Sequence, residues 1–146
     1  MDESVPALNI ELDQSDMKGA IAGFPEQVRA SFSIMKDWTS THEYLDIQKI
    51  IILGMGGSAI GGDVAYVIAQ DACTVPMIVN RSYNIPGWVD SHTLVLVSSY
   101  SGETEETLSA FAQCREQNCP IIVLSTDGKI SEHADEYGLD KITVPV

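Results

Sequence analysis

The chain has 146 residues, 45% of them apolar, a length and composition that suit one folded domain and exclude a disordered or fibrous protein. A net charge of −13, with only 8 Lys and Arg, argues against nucleic acid or an anionic membrane as partner, although a small phosphorylated ligand can still be held by dipoles and hydroxyls. No apolar run approaches the roughly 20 residues that span a bilayer, and the acidic Met1-Asp2-Glu3-Ser4 lacks the parts of a signal peptide, so a soluble, cytoplasmic protein is expected.

Residues 1–14 are acidic and read as a loosely held N-terminal arm; the folded domain is expected over residues 15–146. From Ser15 the spacing is helical, with Met17 and Ile21 on one face. Gly23-Phe24-Pro25 then predicts a break, Pro25 suits the first position of a second helix, and Val28, Phe32 and Met35 continue it to about Trp38. This N-terminal helical segment is expected to pack across a sheet.

Lys49-Ile50-Ile51-Ile52-Leu53 predicts a buried strand, followed by the turn Gly54-Met55-Gly56-Gly57 and a helix with Ile60, Val64, Val67 and Ile68 on one side. Val75–Val79 predicts a second strand, and a long loop from Asn80 to Asp90 carries Tyr83, Pro86 and Trp88. Thr93–Val97 is a third strand; a helix then runs to about Asn118. A fourth strand over Pro120–Leu124, a short helix near Ile130–Tyr137 and a last strand over Lys141–Val144 complete the pattern. Strands alternating with helices imply an α/β three-layer sandwich built on a five-stranded parallel sheet.

Two turns follow strand ends, where open α/β sheets bind ligands. The first, Gly54-Met55-Gly56-Gly57-Ser58-Ala59, matches G-x-G-x-x-A, a weak dinucleotide signature. Asn80 and Arg81 stand where that reading wants an acid, so an NADP module is weakened, with Arg81 the residue that would meet a 2′-phosphate. Gly56, Gly57 and Ser58 are assigned to ligand contact; the unusual pair Gly61-Gly62 is assigned to close packing. The second turn, Ser98-Ser99-Tyr100-Ser101-Gly102-Glu103-Thr104, places three hydroxyls, Ser99, Ser101 and Thr104, around a glycine at a helix start. One hydroxyl would suffice as a cap; three suit a bound phosphate. Glu103, Glu105 and Glu106 complement the helix dipole but would repel a dianion, so they are expected to point away from it or toward sugar hydroxyls. Cys73, Cys114 and Cys119 form no metal-binding spacing and read as free thiols.

The pairing of Gly54-Met55-Gly56-Gly57-Ser58-Ala59-Ile60-Gly61-Gly62-Asp63 with Ser99-Tyr100-Ser101-Gly102-Glu103-Thr104-Glu105-Glu106-Thr107-Leu108 resembles the sugar isomerase (SIS) domain. More closely, with Asn80-Arg81-Ser82-Tyr83-Asn84-Ile85-Pro86-Gly87-Trp88 between them, it resembles the first SIS domain of bifunctional phosphoglucose/phosphomannose isomerases. The resemblance implies a flavodoxin-like SIS fold and interconversion of glucose 6-phosphate or mannose 6-phosphate with fructose 6-phosphate in carbohydrate metabolism. It also implies that Ser99, Ser101 and Thr104 bind the phosphate of a hexose 6-phosphate and that Gly57 and Ser58 approach the sugar. Neither a cofactor nor a metal is implied.

Isomerisation needs a general base and an acid–base for ring opening. The resemblance assigns these to a second SIS half, expected after Val146, and to a partner subunit, so a second SIS domain or a homodimer is the implied partner. No catalytic residue is assigned within these 146 residues: His42, His92 and His133 read as remote from both turns. A non-catalytic sugar-phosphate sensor is the alternative, ahead of the NADP module.

Overall fold

The computed structural model describes residues 13–145. Residues 1–12 of the expected arm and Val146 lie outside them. The described chain divides into two compact units, one ending at Thr39 and the other beginning at Ser40.

The first unit is built on one helix, α1 (Met17–Asp37), of 21 residues. The expected break into two helices at Gly23-Phe24-Pro25 is therefore corrected: Pro25 lies inside a continuous helix. Proline forfeits one hydrogen bond, to the carbonyl four residues back, at a cost of about 3 kcal/mol. The turns on either side carry the helix through it. The start is well closed. The Asp16 carboxylate accepts from Gly19 N at 3.1 Å, and Asp13 accepts from Met17 N at 2.6 Å and Lys18 N at 2.9 Å. At the other end Trp38 N donates to Ile34 O at 3.1 Å, where the period was expected to stop.

The second unit runs β1 (Lys49–Leu53), α2 (Gly56–Ala69), β2 (Met77–Asn80), β3 (Thr93–Ser99), α3 (Glu105–Glu116), β4 (Ile121–Ser125), α4 (Lys129–Glu136) and β5 (Asp140–Thr143). All five strands are parallel, in the order β2-β1-β3-β4-β5. This is the flavodoxin-like arrangement, and its order reverses between β1 and β3. The crevice beyond the carboxyl ends of those two strands is where such sheets take ligands.

Alternation along the strands sorts the sheet into two faces. Ile51, Leu53, Val95, Val97, Ile121 and Val123 share one face and are buried under α3 and α4, which contribute Ala110, Phe111, Cys114, Ile130 and Ala134. Each such aliphatic side chain contributes roughly 1.5–3 kcal/mol by leaving water. The opposite face carries α2, whose buried residues are Ala59 and Gly62. A Cβ on Gly62 would stand 3.1 Å from Ile52 Cγ2 and 3.2 Å from Val79 Cγ2, so the assignment of Gly62 to close packing is correct. Ile60, Val64, Val67 and Ile68, expected to share one side of α2, do so, and that side faces away from the sheet: all four are more than half exposed.

Two details fix the ends of this unit. α3 closes with Asn118 at φ 55, Cys119 N donating to Cys114 O at 3.1 Å and Asn118 N donating to Arg115 O at 3.0 Å, a Schellman cap with the two cysteines as its apolar contact. All three cysteines are free thiols. At the start of β5 the buried Asp140 carboxylate collects Ser40 Oγ at 2.5 Å, Thr41 N at 2.8 Å, Thr41 Oγ1 at 2.5 Å and Tyr44 Oη at 2.7 Å. Burial alone would raise its pKa; the donated bonds more than offset that and hold the carboxyl well below the usual carboxylate range. The same burial and the neighbouring carboxylate push the Tyr44 hydroxyl up.

Among the described residues no helix is long and apolar enough to cross a membrane.

Candidate functional site

The two turns singled out in the sequence meet at the switch point. β1 ends at Leu53 and β3 at Ser99, and Leu53 is paired with Val97. The turns that follow therefore leave adjacent strands on the same edge of the sheet. Together they line an open cleft of about 610 Å³, bounded by Met55, Gly57, Ser58, Gly61, Ser98, Tyr100, Ser101 and Thr104.

Both helices that start here start open. α2 has Met55 as its N-cap, with extended backbone and no side-chain capping bond, and Gly56 takes φ 50 to turn the chain into the helix. α3 has Thr104 as its N-cap, again without a side-chain capping bond. The first N–H groups of an α-helix have no intrahelical acceptor, and the helix dipole makes that end electropositive. Two such ends on one cleft, beside Ser58, Ser101 and Thr104 hydroxyls, gather hydrogen-bond donors of the kind that suit an anion, with no cation among the lining residues.

The lining residues include no carboxylate. Glu105 accepts from the Tyr83 hydroxyl at 3.4 Å. Glu106 lines a neighbouring crevice with Met55, Asn80 and Ser82. Their charges, Glu106 foremost, push the Tyr83 hydroxyl pKa up. Neither carboxylate is among the residues that line the cleft.

Of the six residues assigned to ligand binding, Gly57, Ser58, Ser101 and Thr104 line the cleft. Gly56 supplies the turn. Ser99 is buried at the end of β3 and donates from Oγ to Thr104 Oγ1 at 3.3 Å, which orients the Thr104 hydroxyl from behind. Ser101 Oγ accepts from Glu103 N at 3.2 Å, an interaction that leaves its own proton to donate outward. Met55, Ser98 and Tyr100 were not anticipated; Ser98 lines the cleft from the end of β3 and Tyr100 from the turn that follows. Gly61 corrects the packing assignment: a Cβ there would meet nothing within 4 Å, and the residue opens onto the cleft.

The serine-rich turn is fastened to the turn between β4 and α4. Tyr100 O accepts from Thr126 Oγ1 at 2.6 Å and from Thr126 N at 3.3 Å, and Gly102 O accepts from Ile130 N at 3.1 Å. Gly102 (φ 68) and Gly128 (φ 82) face each other so closely that a Cβ on Gly102 would lie 1.9 Å from Asp127 O, and one on Gly128 would lie 2.5 Å from Ser101 O. Glu103 crosses the same gap, accepting from Lys129 N at 3.0 Å and Lys129 Nζ at 2.8 Å. That pair lowers the Glu103 pKa and raises that of Lys129.

The histidines are elsewhere, as expected. His42 reaches Thr41 Oγ1 at 3.0 Å, His92 the Asp46 carbonyl at 3.3 Å, and His133 stacks with Phe111 and Tyr137. Arg81 is paired with Asp63 of α2 and donates to Ala59 O at 3.4 Å, which commits the cation on which the dinucleotide reading rested.

No family model matches the chain. Among curated relatives, a bifunctional phosphoglucose/phosphomannose isomerase of Caldicellulosiruptor bescii is 45% identical over 126 residues, covering 86% of this chain and 37% of the relative. One of Aquifex aeolicus is 33% identical over 122 residues, covering 78% of this chain and 38% of the relative. The chain thus spans under two fifths of the length of these relatives. Among solved structures, a protein from Salmonella typhimurium LT2 assigned as a phosphosugar isomerase superposes with a TM-score of 0.52 at 22% identity, covering 75% of this chain and 32% of that one. The likeness to that structure concerns the fold.

Proposed function

Since the chain is a sugar isomerase (SIS) domain homologous to part of the bifunctional phosphoglucose/phosphomannose isomerases, we propose that its cleft binds the phosphate of a hexose 6-phosphate. On this reading it serves a cytoplasmic aldose–ketose isomerase that interconverts glucose 6-phosphate or mannose 6-phosphate with fructose 6-phosphate. The single observation that carries the proposal is the pair of uncapped helix starts, α2 and α3, opening with three hydroxyls onto one acid-free cleft.

The residues divide the work by position. Ser101 and Thr104, backed by Ser99, donate to the phosphate together with the first N–H groups of α3. Gly57 and Ser58, at the start of α2, face the sugar, where the missing glycine side chain lets the ligand approach the backbone. Nothing lining the cleft serves as the base that moves a proton between neighbouring carbons. On this proposal that base, and the acid–base for ring opening, come from a second SIS domain or a second copy of the chain seated over the open cleft. The exposed row Ile60, Val64, Val67 and Ile68 on α2 offers such a partner an apolar surface beside Gly61.

The same lack of a base favours a second reading, a non-catalytic sugar-phosphate sensor. Titration calorimetry with fructose 6-phosphate and with NADP tests the ligand class, and a coupled isomerase assay separates enzyme from sensor. Saturable binding of fructose 6-phosphate, displaced by inorganic phosphate, is expected. Binding of NADP with no response to the sugar phosphate would overturn the proposal.

A further inference from the structure

Glu103 sits in the middle of the serine-rich turn, yet its carboxylate is spent on a different element. One oxygen takes the Lys129 N–H, the first in α4, and the other takes the Lys129 ammonium. Gly128, the N-cap of α4, has no side chain to offer, so Glu103 caps a helix that lies 26 residues further along the chain. The backbone just before Glu103 is gripped by the same region: Tyr100 O and Gly102 O accept from Thr126 and Ile130, and Gly102 abuts Gly128. Ser101 Oγ in turn takes Glu103 N.

We propose that Glu103 is a positioning residue: by capping α4 and holding Lys129 it fixes the Ser101–Thr104 backbone in the geometry that presents the Ser101 hydroxyl and the α3 start to the anion. This rests on the reading of the cleft as a phosphate site. The arrangement also solves an electrostatic difficulty. An unpaired carboxylate two residues from Ser101 would repel a phosphate dianion; here its charge is matched by the Lys129 ammonium and the α4 dipole, and its side chain leads away from the cleft. The β4–α4 turn thereby contributes to ligand binding without lining the cleft.

Three proteins decide the matter: the wild type, Glu103→Ala and Glu103→Gln. Glutamine keeps an oxygen to accept the Lys129 N–H but loses the ion pair. Amide hydrogen exchange across residues 100–105 reports the loop whether or not anything binds. Calorimetry with inorganic phosphate and fructose 6-phosphate reports the site, and the thermal midpoint reports global stability. Faster exchange in Glu103→Ala, about tenfold weaker phosphate binding, partial recovery of both in Glu103→Gln and a midpoint lowered by only about 2–4 °C are the expected results. Unchanged loop exchange in Glu103→Ala overturns the proposal. So does an affinity loss that only tracks a drop in midpoint and is not relieved by glutamine. If the wild type binds neither phosphate nor sugar phosphate, the phosphate reading of the cleft fails and the inference built on it fails too, while the exchange data separately show whether Glu103 holds the loop.

Discussion

Compare the two kinds of helix start in this molecule. Those of α1 and α4 are closed by carboxylates, from Asp13 and Asp16 in one case and from Glu103 in the other. Those of α2 and α3 have no side-chain cap, and both open onto the same cleft. The chain has 21 Asp and Glu, so acids are not scarce, and their exclusion from the cleft lining is a matter of placement. An absent cap forgoes about 1 kcal/mol of stability at each helix. Where acids gather backbone donors the chain gains stability. Where it leaves donors free, at the two helix starts on the cleft, it forgoes that stability, which is what the proposed phosphate site requires.

The contrast can be broken from either side. The largest effect is expected where a carboxylate gathers most donors: Asp140→Ala removes the buried acceptor shared by Ser40, Thr41 and Tyr44 and should cost about 3 kcal/mol, read as a lower urea midpoint. Its pH dependence has a definite sign. The folded-state pKa of Asp140 is depressed, so its contribution is complete above about pH 4 and is lost as pH falls below that. The variant should show a flatter acid limb than the wild type. Next, Thr104→Asp converts the open start of α3 into a closed one. It should raise stability by about 0.5–1 kcal/mol and weaken phosphate binding roughly a hundredfold, since a like charge in the site costs several kcal/mol. A variant that is more stable and still binds phosphate would refute the division drawn above. Ser101→Ala removes one donor and should cost about 1–3 kcal/mol of sugar-phosphate affinity by calorimetry. Unchanged affinity would place the phosphate elsewhere. The smallest change is Gly61→Ala, which meets no neighbour and should stabilise α2 by about 1 kcal/mol in thermal unfolding. A loss of stability there would mean that something packs on Gly61.

The strands were legible because a parallel strand buried on both sides must be apolar almost throughout, and Lys49–Leu53, Thr93–Val97 and Pro120–Leu124 have no other use for such runs. The two turns that meet at the cleft were legible because glycine and hydroxyl residues clustered after strand ends. The orientation of α2 was harder. Its apolar row was plain, but a row of large side chains gives no sign of whether it meets the sheet or a partner; Ala59 and Gly62 meet the sheet instead, as small residues that let the helix approach. Pro25 was misread because its local penalty was allowed to outvote the turns on both sides. The bonds of Glu103 to Lys129 and of Asp140 to Ser40 could not be read at all. They join residues 26 and 100 positions apart, and only the sheet order brings them together.

The Asp140 contact has a further consequence, for timing. Its partners Ser40–Tyr44 open the second unit, and Asp140 begins the last strand, so the bond to Ser40 closes a loop of 100 residues at an entropic cost of roughly 4 kcal/mol. During synthesis at about 5–20 residues per second, Asp140 follows Tyr44 after an interval on the order of 5–20 seconds. Until then the hydroxyls of Ser40, Thr41 and Tyr44 lack their acceptor, whatever else has formed. The segment before β1 is thus fastened only after β1, β2, β3 and β4 have all been made.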